Sequence, residues 1–503
     1  HVMDYSAEWS RLENARHERL CSLGVSEAAI EASKLKPCLP RSVESAEDGI
    51  RIMQWNILAD GMSDDGFLVN DVLQDWPAGQ GNVPTSNGEV VRFSSLLEEM
   101  MSARGDNEAL QTLKEKYDVA NAEKNMQVII DWQARELQIQ LQVLAADRPD
   151  VIVFEECDHY SSLSEHLARL GYASQLSAGS TYEPAHIVSF DNRTPEEAAH
   201  FREAMEKKGY AFLPNISSTA MNLKLNDESY REKVIAAAQS LGLESQIVDQ
   251  DGKRLRRNSF LGLKGGSSEL LREAGIDPAS IDDDGVAIFW RTDRFCATAL
   301  RFSVFPGGRG GALQVRLRER AATARDILVV GAHLLSGDDQ ISEKERLTRQ
   351  VNPAGGLCEM VMEARKAGDA VVLCLDANSH PQIGVESGES VWRSLHQALG
   401  ASAWDAYFDR AGSPISINGH ANIDPPVTSN KLRGPLSGQS KKIGLHSYYC
   451  IDHIFFDSST FCLDSHVLAP KRFDSEATAR EALNPSLVIP SDHYPVVVDL
   501  AWI

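Results

Sequence analysis

The sequence predicts an α/β layered fold. Two observations carry that expectation. Short runs rich in Val, Ile, Leu and Phe recur along the chain, each bounded by Gly, Pro, Asp or Ser, as strands are. Between them lie longer stretches with helical spacing of apolar residues, and alternating strands and helices favour layered packing.

In chain order, residues 5–35 read as short helices in which Glu8, Arg11 and Glu13 mix with Trp9, Leu12 and Leu20. A polar, Pro-containing stretch follows to about residue 48, so 1–47 is expected to be a helical extension and 48–503 the main domain. Strand-like runs begin with 51–58. They continue at 151–154, 286–290, 313–317, 327–333, 370–376, 449–456 and 494–500. Ile130, Leu137, Leu141 and Leu144 form one apolar stripe on an expected helix at about 128–146. Helical patterns also cover 160–170, 195–208, 228–240, 341–366 and 390–399. Two segments read as insertions: 77–127, which opens Gly/Pro/Asn-rich, and 185–283, which holds charged helices and a basic run at 253–257. No internal repeat is visible.

Length alone suggests two or three domains in 503 residues. Hydrophobic residues at 43% and charged residues at 24% are ordinary globular values. No apolar run approaches the roughly 18 residues of a membrane span. A cytoplasmic location is expected. The opening His1-Val2-Met3 reads as an expression scar, which leaves a preceding targeting segment open. The eight cysteines are scattered without a CxxC pair, which speaks against zinc, and Cys157, Cys374 and Cys450, inside or beside apolar runs, read as buried reduced thiols. The net charge of −22 argues against indiscriminate binding of long nucleic acid. It does not exclude a phosphate ligand, because a bound divalent ion and a few arginines decide the local field.

Several strand runs end in polar residues. Asn56 closes the first, and Glu155-Glu156-Cys157-Asp158-His159 follows the second. His333 ends another run, Asp376-Ala377-Asn378 ends the next, Asp452-His453 interrupts 449–456, and Ser491-Asp492-His493 precedes the last. Singly, each is an ordinary turn, cap or core residue. Together they would converge at one sheet edge, where ligands bind. Carboxylates packed so closely repel one another unless they are protonated or share a cation. With Asn, Asp, Glu and His as donors the fitting cation is magnesium, or manganese, and the fitting chemistry is phosphoester hydrolysis.

The ordered motifs resemble the endonuclease/exonuclease/phosphatase superfamily, and within it the branch of nocturnin, the Angel proteins, the 2′-phosphodiesterase and the carbon-catabolite-repression deadenylases. The resemblance rests on Gln54–Ala59, Trp132 with Arg135, Pro149–Tyr160, Asp284–Phe289, His333-Leu334 followed by Glu345-Arg346, Ile451–Phe455 and Pro490–His493. It implies a four-layer α/β sandwich of the DNase I-like kind, two packed mixed sheets flanked by helices. It also implies roles. Glu156 would hold the metal with Asn56 beside it and Asp492 completing the shell. Asp376 would orient or deprotonate the attacking water, and Asn378 would steady the phosphate. His493 would act on the scissile phosphate, with Asp452 fixing its tautomer. His333 would bind a phosphate oxygen, while Asp284, Lys431 and Arg346 would contact substrate. Three positions depart from the branch: Glu155 where glutamine is usual, Leu335 where nocturnin-like members carry lysine, and Asn430 where tryptophan is usual.

The resemblance thus implies a magnesium-dependent phosphoesterase, foremost a 3′–5′ exonuclease or phosphodiesterase on adenylate-rich RNA or oligoadenylate. The acidity and the insertions fit a second reading better: a phosphatase on a small phosphorylated metabolite, such as a nicotinamide dinucleotide 2′-phosphate or a sugar phosphate. A third reading is an inactive scaffold protein. In each enzyme reading the partner is a phosphorylated substrate and no membrane is involved.

Overall fold

The first apolar run becomes β1 (Gly49–Asn56), in which every residue is buried. A computed structural model describes residues 5–36, 49–59, 66–68, 82–84, 90–92, 98–100, 102–103, 106–116, 128–177, 211–212, 263–264, 285–306, 310–321, 325–337, 340–417, 420–421, 425–434 and 443–503. β1 pairs in parallel with β2 (Val151–Glu155) and antiparallel with the last strand, so it sits inside a sheet and needs apolar side chains on both faces.

The remaining strands of the two large sheets are β3 (Tyr172–Leu176), β4 (Ala287–Arg291), β5 (Phe295–Val304), β6 (Gly311–Glu319), β7 (Asp326–His333), β8 (Ala370–Asp376) and β9 (Gly400–Ser402). A hairpin of β10 (Ser429–Leu432) and β11 (His446–Tyr449) stands apart, and β12 (Asp452–Asp457), β13 (Phe461–His466) and β14 (Val496–Trp502) complete the set. One sheet runs β13-β14-β1-β2-β4-β3, the other β9-β12-β8-β7-β6-β5. Each contains one parallel pair, β1 with β2 and β7 with β8, so both are mixed.

The facing sides share one core. Ile52, Val153 and Ile288 of the first sheet meet Val329, Val372 and Ile454 of the second. Gly331 marks how closely the sheets approach: a Cβ there would stand 2.7 Å from Val286 Cγ1 and 2.9 Å from Val153 Cγ1. The outer side of the first sheet, with Trp55, Phe154 and Phe289, is covered by α4 (Trp132–Ala145) and α5 (Tyr160–Arg169). α7 (Leu357–Lys366) and α8 (Val391–Leu399) bring Val361, Trp392 and Leu395 into the core of the second sheet. This is the four-layer α/β sandwich.

α1 (Tyr5–Ser22) and α2 (Glu27–Ala32) pack on α4: Leu12 enters the core with Ile139, and Leu20 and Ile30 join Ala134. α3 (Asn107–Lys116) lies within the 77–127 segment, where Leu110 and Leu113 pack with Met100 and Leu432. The stripe expected on α4 proves too narrow. Gln138, Gln140 and Gln142 are buried as well, and Gln138 and Gln142 face the chain at Val488, which covers a second side of the helix. The 341–366 pattern divides into α6 (Gln340–Arg346), a π-helical turn at Leu347–Val351 and α7, with Pro353 and Gly355-Gly356 between. The 449–456 run also divides: Tyr449 ends the hairpin and Asp452 opens β12 in the second sheet. α9 (Glu476–Arg480) opens with a capping box on Ser475.

Chain contacts divide into two units. The first comprises His1–Ala59, Ser63–Ser177 and Asp284–Ile503, and holds both sheets. The second comprises Asp60–Met62 and Ala178–Asp283, where the short pair Ala211–Phe212 and Leu263–Lys264 is described. The helices expected at 195–208 and 228–240, and Asp284 itself, lie outside the described residues. No helix among the described residues is long and apolar enough to cross a membrane.

Candidate active site

Strand register assembles the site. In the second sheet His333 is level with Asp376 across the parallel pair, and Asp376 is level with Asp452 across the antiparallel one. In the first sheet Asn56 is level with Glu155. Two amides join these rows across the sandwich. Asn56 Nδ2 donates to Glu156 Oε1 at 3.0 Å and to Asp376 Oδ2 at 2.9 Å. Gln54 Nε2 donates to Glu155 Oε2 at 2.8 Å and to Asp452 Oδ1 at 2.9 Å.

Glu156 lies just beyond β2 with φ +54°, a left-handed conformation that costs a non-glycine residue on the order of 1–3 kcal/mol. Its Oε2 accepts from Ala59 N at 3.1 Å, which ties it to the end of β1. Asn378, at φ +47°, turns the chain after β8. Its backbone N–H caps Asp376 Oδ1 at 2.8 Å, and its Nδ2 lies 3.0 Å from both His333 Nε2 and Leu334 O. His333 Nε2 stands 3.4 Å from Asp376 Oδ2 and 3.9 Å from Glu156 Oε1.

His493 is buried, and its Nδ1 meets Asp452 Oδ2 at 2.7 Å. Its Nε2 lies 3.7 Å from Asp492 Oδ2 and 4.0 Å from Asp376 Oδ2. Burial alone would depress the ring's pKa, but the Asp452, Asp492 and Asp376 carboxylates outweigh it and push it up from 6.5 to about 10. Burial likewise favours neutral Asp492, yet the Lys431 ammonium in contact with it and the nearby imidazolium hold that carboxyl well below the usual range. Glu155 is driven the other way. Burial, with Asp452 and Asp376 nearby, pushes its pKa well above 4.5 at the back of the site, and its Oε1 has no hydrogen-bond partner.

The structure therefore brings together Asn56, Glu156, His333, Asp376, Asn378, Asp452, Asp492 and His493, with Lys431 joined through Asp492. Arg346 goes elsewhere. It is fully buried and donates to Leu335 O at 2.9 Å, Gly337 O at 2.7 Å and Glu343, so it shapes the loop after β7 instead of facing a ligand. Asn430 is also fully buried. Its Nδ2 holds Ala479 O and Ala482 O at 2.8 Å each, and its Oδ1 lies 2.8 Å from His446 Nε2, a packing role in place of the usual tryptophan. Sequence reasoning gave no role to Gln54 or Thr428. Thr428 Oγ1 accepts from both Ile451 N and Asp452 N, at 2.9 and 3.0 Å, and so fixes the Asp452 backbone. A glutamine inside the apolar 51–58 run is a signal that could have found the first.

One ligand atom each from Glu156, His333 and Asp376 lie within 4.8 Å of one another, and the same holds for Asp376, Asp452 and His493. Both groups could hold a metal ion. The first suits a hard divalent ion best: it offers two carboxylates, Glu156 and Asp376, with the His333 imidazole beside them.

No family model and no curated protein matches the chain. Solved structures do. The catalytic domain of human Nocturnin with bound sulfate aligns over 91% of this chain and 94% of its own, at 15% identity and a TM-score of 0.42. ANGEL2, described as a 2′,3′-cyclic phosphatase, in complex with adenosine-2′,3′-vanadate, aligns over 90% and 96%, at 12% identity and 0.42. An endonuclease/exonuclease/phosphatase from Beutenbergia cavernae aligns over 73% and 66%, at 13% identity and 0.34.

Proposed function

We propose that this protein is a divalent-metal-dependent phosphoesterase that cleaves a phosphodiester of an adenylate-rich RNA or oligoadenylate. The observation that supports it most is the junction of the two sheets at Asn56 and Gln54, which places carboxylates, amides and a buried imidazolium within one hydrogen-bonded cluster.

Glu156 and Asp376, with Asn56 between them, are the residues to hold magnesium or manganese. The ion when bound would neutralise charge on the nonbridging oxygens. Asp376 Oδ2 is the acceptor best placed to orient a water for in-line attack. His493, held as an imidazolium, presents Nε2–H to the phosphoryl or leaving oxygen, and Asp452 keeps the ring's orientation through Nδ1. His333 and Asn378 Nδ2 offer neighbouring contacts to the equatorial oxygens. Asp492, expected in the metal shell, has its Oδ2 engaged by Lys431, and we assign it to charge balance on His493.

The test is a panel of oligoadenylate, a 2′,3′-cyclic-phosphate oligonucleotide and a dinucleotide 2′-phosphate, assayed with magnesium or manganese and with chelator. Mononucleotides released from oligoadenylate, lost on chelation and in Asp376→Ala with the fold intact, are the expected result. Inorganic phosphate from the monoester alone would replace this reading by a metabolite phosphatase. No turnover of any member would remove the enzyme reading.

A further inference from the structure

The segment 487–490, which leads into Ser491-Asp492-His493, has all four of its carbonyls occupied. Leu487 O accepts from Arg16 Nη2 at 2.9 Å. Val488 O accepts from Gln138 Nε2 and Gln142 Nε2, each at 2.9 Å. Ile489 O accepts from Ser486 N at 2.7 Å, and Pro490 O from Arg135 Nε at 2.9 Å. Four of these five donors are side chains of α1 and α4, all buried. Surface loops ordinarily satisfy such carbonyls with water.

Arg135 does more than hold one loop. Its Nη2 also donates to Ile57 O at 2.7 Å and to Leu58 O, the residues that follow Asn56. One guanidinium thus spans the chain beyond Asn56 and the chain before His493. The helix that carries it is held in turn from α1. Arg19 grips Asp131 through two bonds, Nε to Oδ1 at 2.9 Å and Nη2 to Oδ2 at 2.5 Å. Asp131 is the N-cap of α4, accepting from Ala134 N at 2.9 Å. Arg16 Nη2 also meets Ser33 Oγ, the C-cap of α2, at 2.7 Å. Leu487 itself packs with Leu20, Val25, Ile30 and Ala134.

We infer that the N-terminal helices and α4 form one brace that positions the Ser491-Asp492-His493 loop against the Asn56 strand end, with Arg16 and Arg135 as positioning residues. The catalytic part of this inference rests on the phosphoesterase reading above. Neither arginine reaches the reacting atoms. Each acts through backbone carbonyls, so loss of either displaces His493 without removing a ligand or a proton carrier. A displacement of about 1 Å is enough to lower turnover on the order of 10²-fold.

The experiment pairs amide hydrogen exchange of the 486–495 peptide with steady-state kinetics in the full chain. The variants are Arg16→Met, Arg16→Lys, the double variant Gln138→Leu/Gln142→Leu, and Arg135→Lys. Exchange is expected to accelerate tenfold or more in Arg16→Met and in the double variant, with kcat down at least tenfold and KM within twofold of the parent. Arg16→Lys, which can still donate to Leu487 O, should recover both. Unchanged exchange in Arg16→Met and the double variant would overturn the brace. Faster exchange with unchanged kcat would overturn its role in positioning. Should Arg135→Lys fail to fold, the other variants decide. If the parent cleaves no phosphoester, the phosphoesterase reading falls, while the exchange data still decide whether the helices hold the loop.

Discussion

Asp452→Asn removes one charge and leaves the side-chain shape nearly unchanged. In the native site Asp452 Oδ2 meets His493 Nδ1 at 2.7 Å, and Asp452 is the largest of three carboxylate attractions that oppose burial of the ring's charge. A rise from 6.5 to about 10 corresponds to about 5 kcal/mol of preference for the protonated ring. The largest of three contributors supplies at least about 2 kcal/mol of that, so the ring's pKa should fall by more than one pH unit in the variant. The folded value lies above the unfolded one. The stabilisation from His493 is therefore complete below about pH 6.5 and is lost as pH rises toward about 10. An activity that needs the imidazolium follows the same direction: the parent's alkaline limb is high, and the variant's moves down. Loss of the charged hydrogen bond and of the ring's orientation should also lower kcat/KM on the order of 10²-fold. The assay is the pH–rate profile of both proteins on the best substrate of the panel, at saturating metal. An unmoved alkaline limb together with turnover within twofold of the parent would refute the role given to the Asp452–His493 pair.

His453 titrates in the opposite sense. Burial depresses its pKa from 6.5 to about 4, against a partly compensating bond from Nε2 to Ser379 O at 2.9 Å. The unfolded chain takes up this proton first, so about 3 kcal/mol of stability is complete above pH 6.5 and lost as pH falls toward about 4. His453→Gln should move the acid-unfolding midpoint, followed by tryptophan fluorescence, to lower pH; a midpoint that stays in place would remove His453 as a determinant of acid stability. Gly331→Ala should cost about 1–3 kcal/mol in urea melts, because its methyl would collide with Val153 and Val286 across the sandwich. Parental stability in that variant would show that the sheets are less tightly apposed than described.

The central strands were legible for a physical reason. β2, β4, β7 and β8 are buried on both faces, so their sequences are nearly continuous apolar runs with clear ends, and β1 keeps the same burial with Arg51 and Gln54 inside it. β5 and β13 were not legible. They are edge strands with polar or exposed residues through most of their length, and no apolar run announces them. The split of 449–456 was hidden because Cys450 and Ile451 are as apolar as the strands they separate. Among site residues, Asn56, Glu156, His333, Asp376, Asn378, Asp452, Asp492 and His493 were visible as polar interruptions at strand ends. Arg346 was misplaced because a sequence order shows which residues neighbour a motif and not which way a guanidinium turns. Here it turns to Leu335 O and Gly337 O.

By itself the sequence determined the layered fold and the residue types of the candidate site, because burial demands apolar strands and the proposed phosphoester chemistry calls for oxygen and imidazole groups at their ends. Tertiary structure decided how those groups are used. Register brought Asp376 level with both His333 and Asp452, and packing of the sheets let Asn56 and Gln54 bridge the two rows. Burial together with neighbouring charges then pushed the pKa values of Glu155 and His493 up, although both are ordinary titrating residues in the linear chain. Distances between residues hundreds of positions apart determine these fields, and such distances exist only once the sandwich has closed.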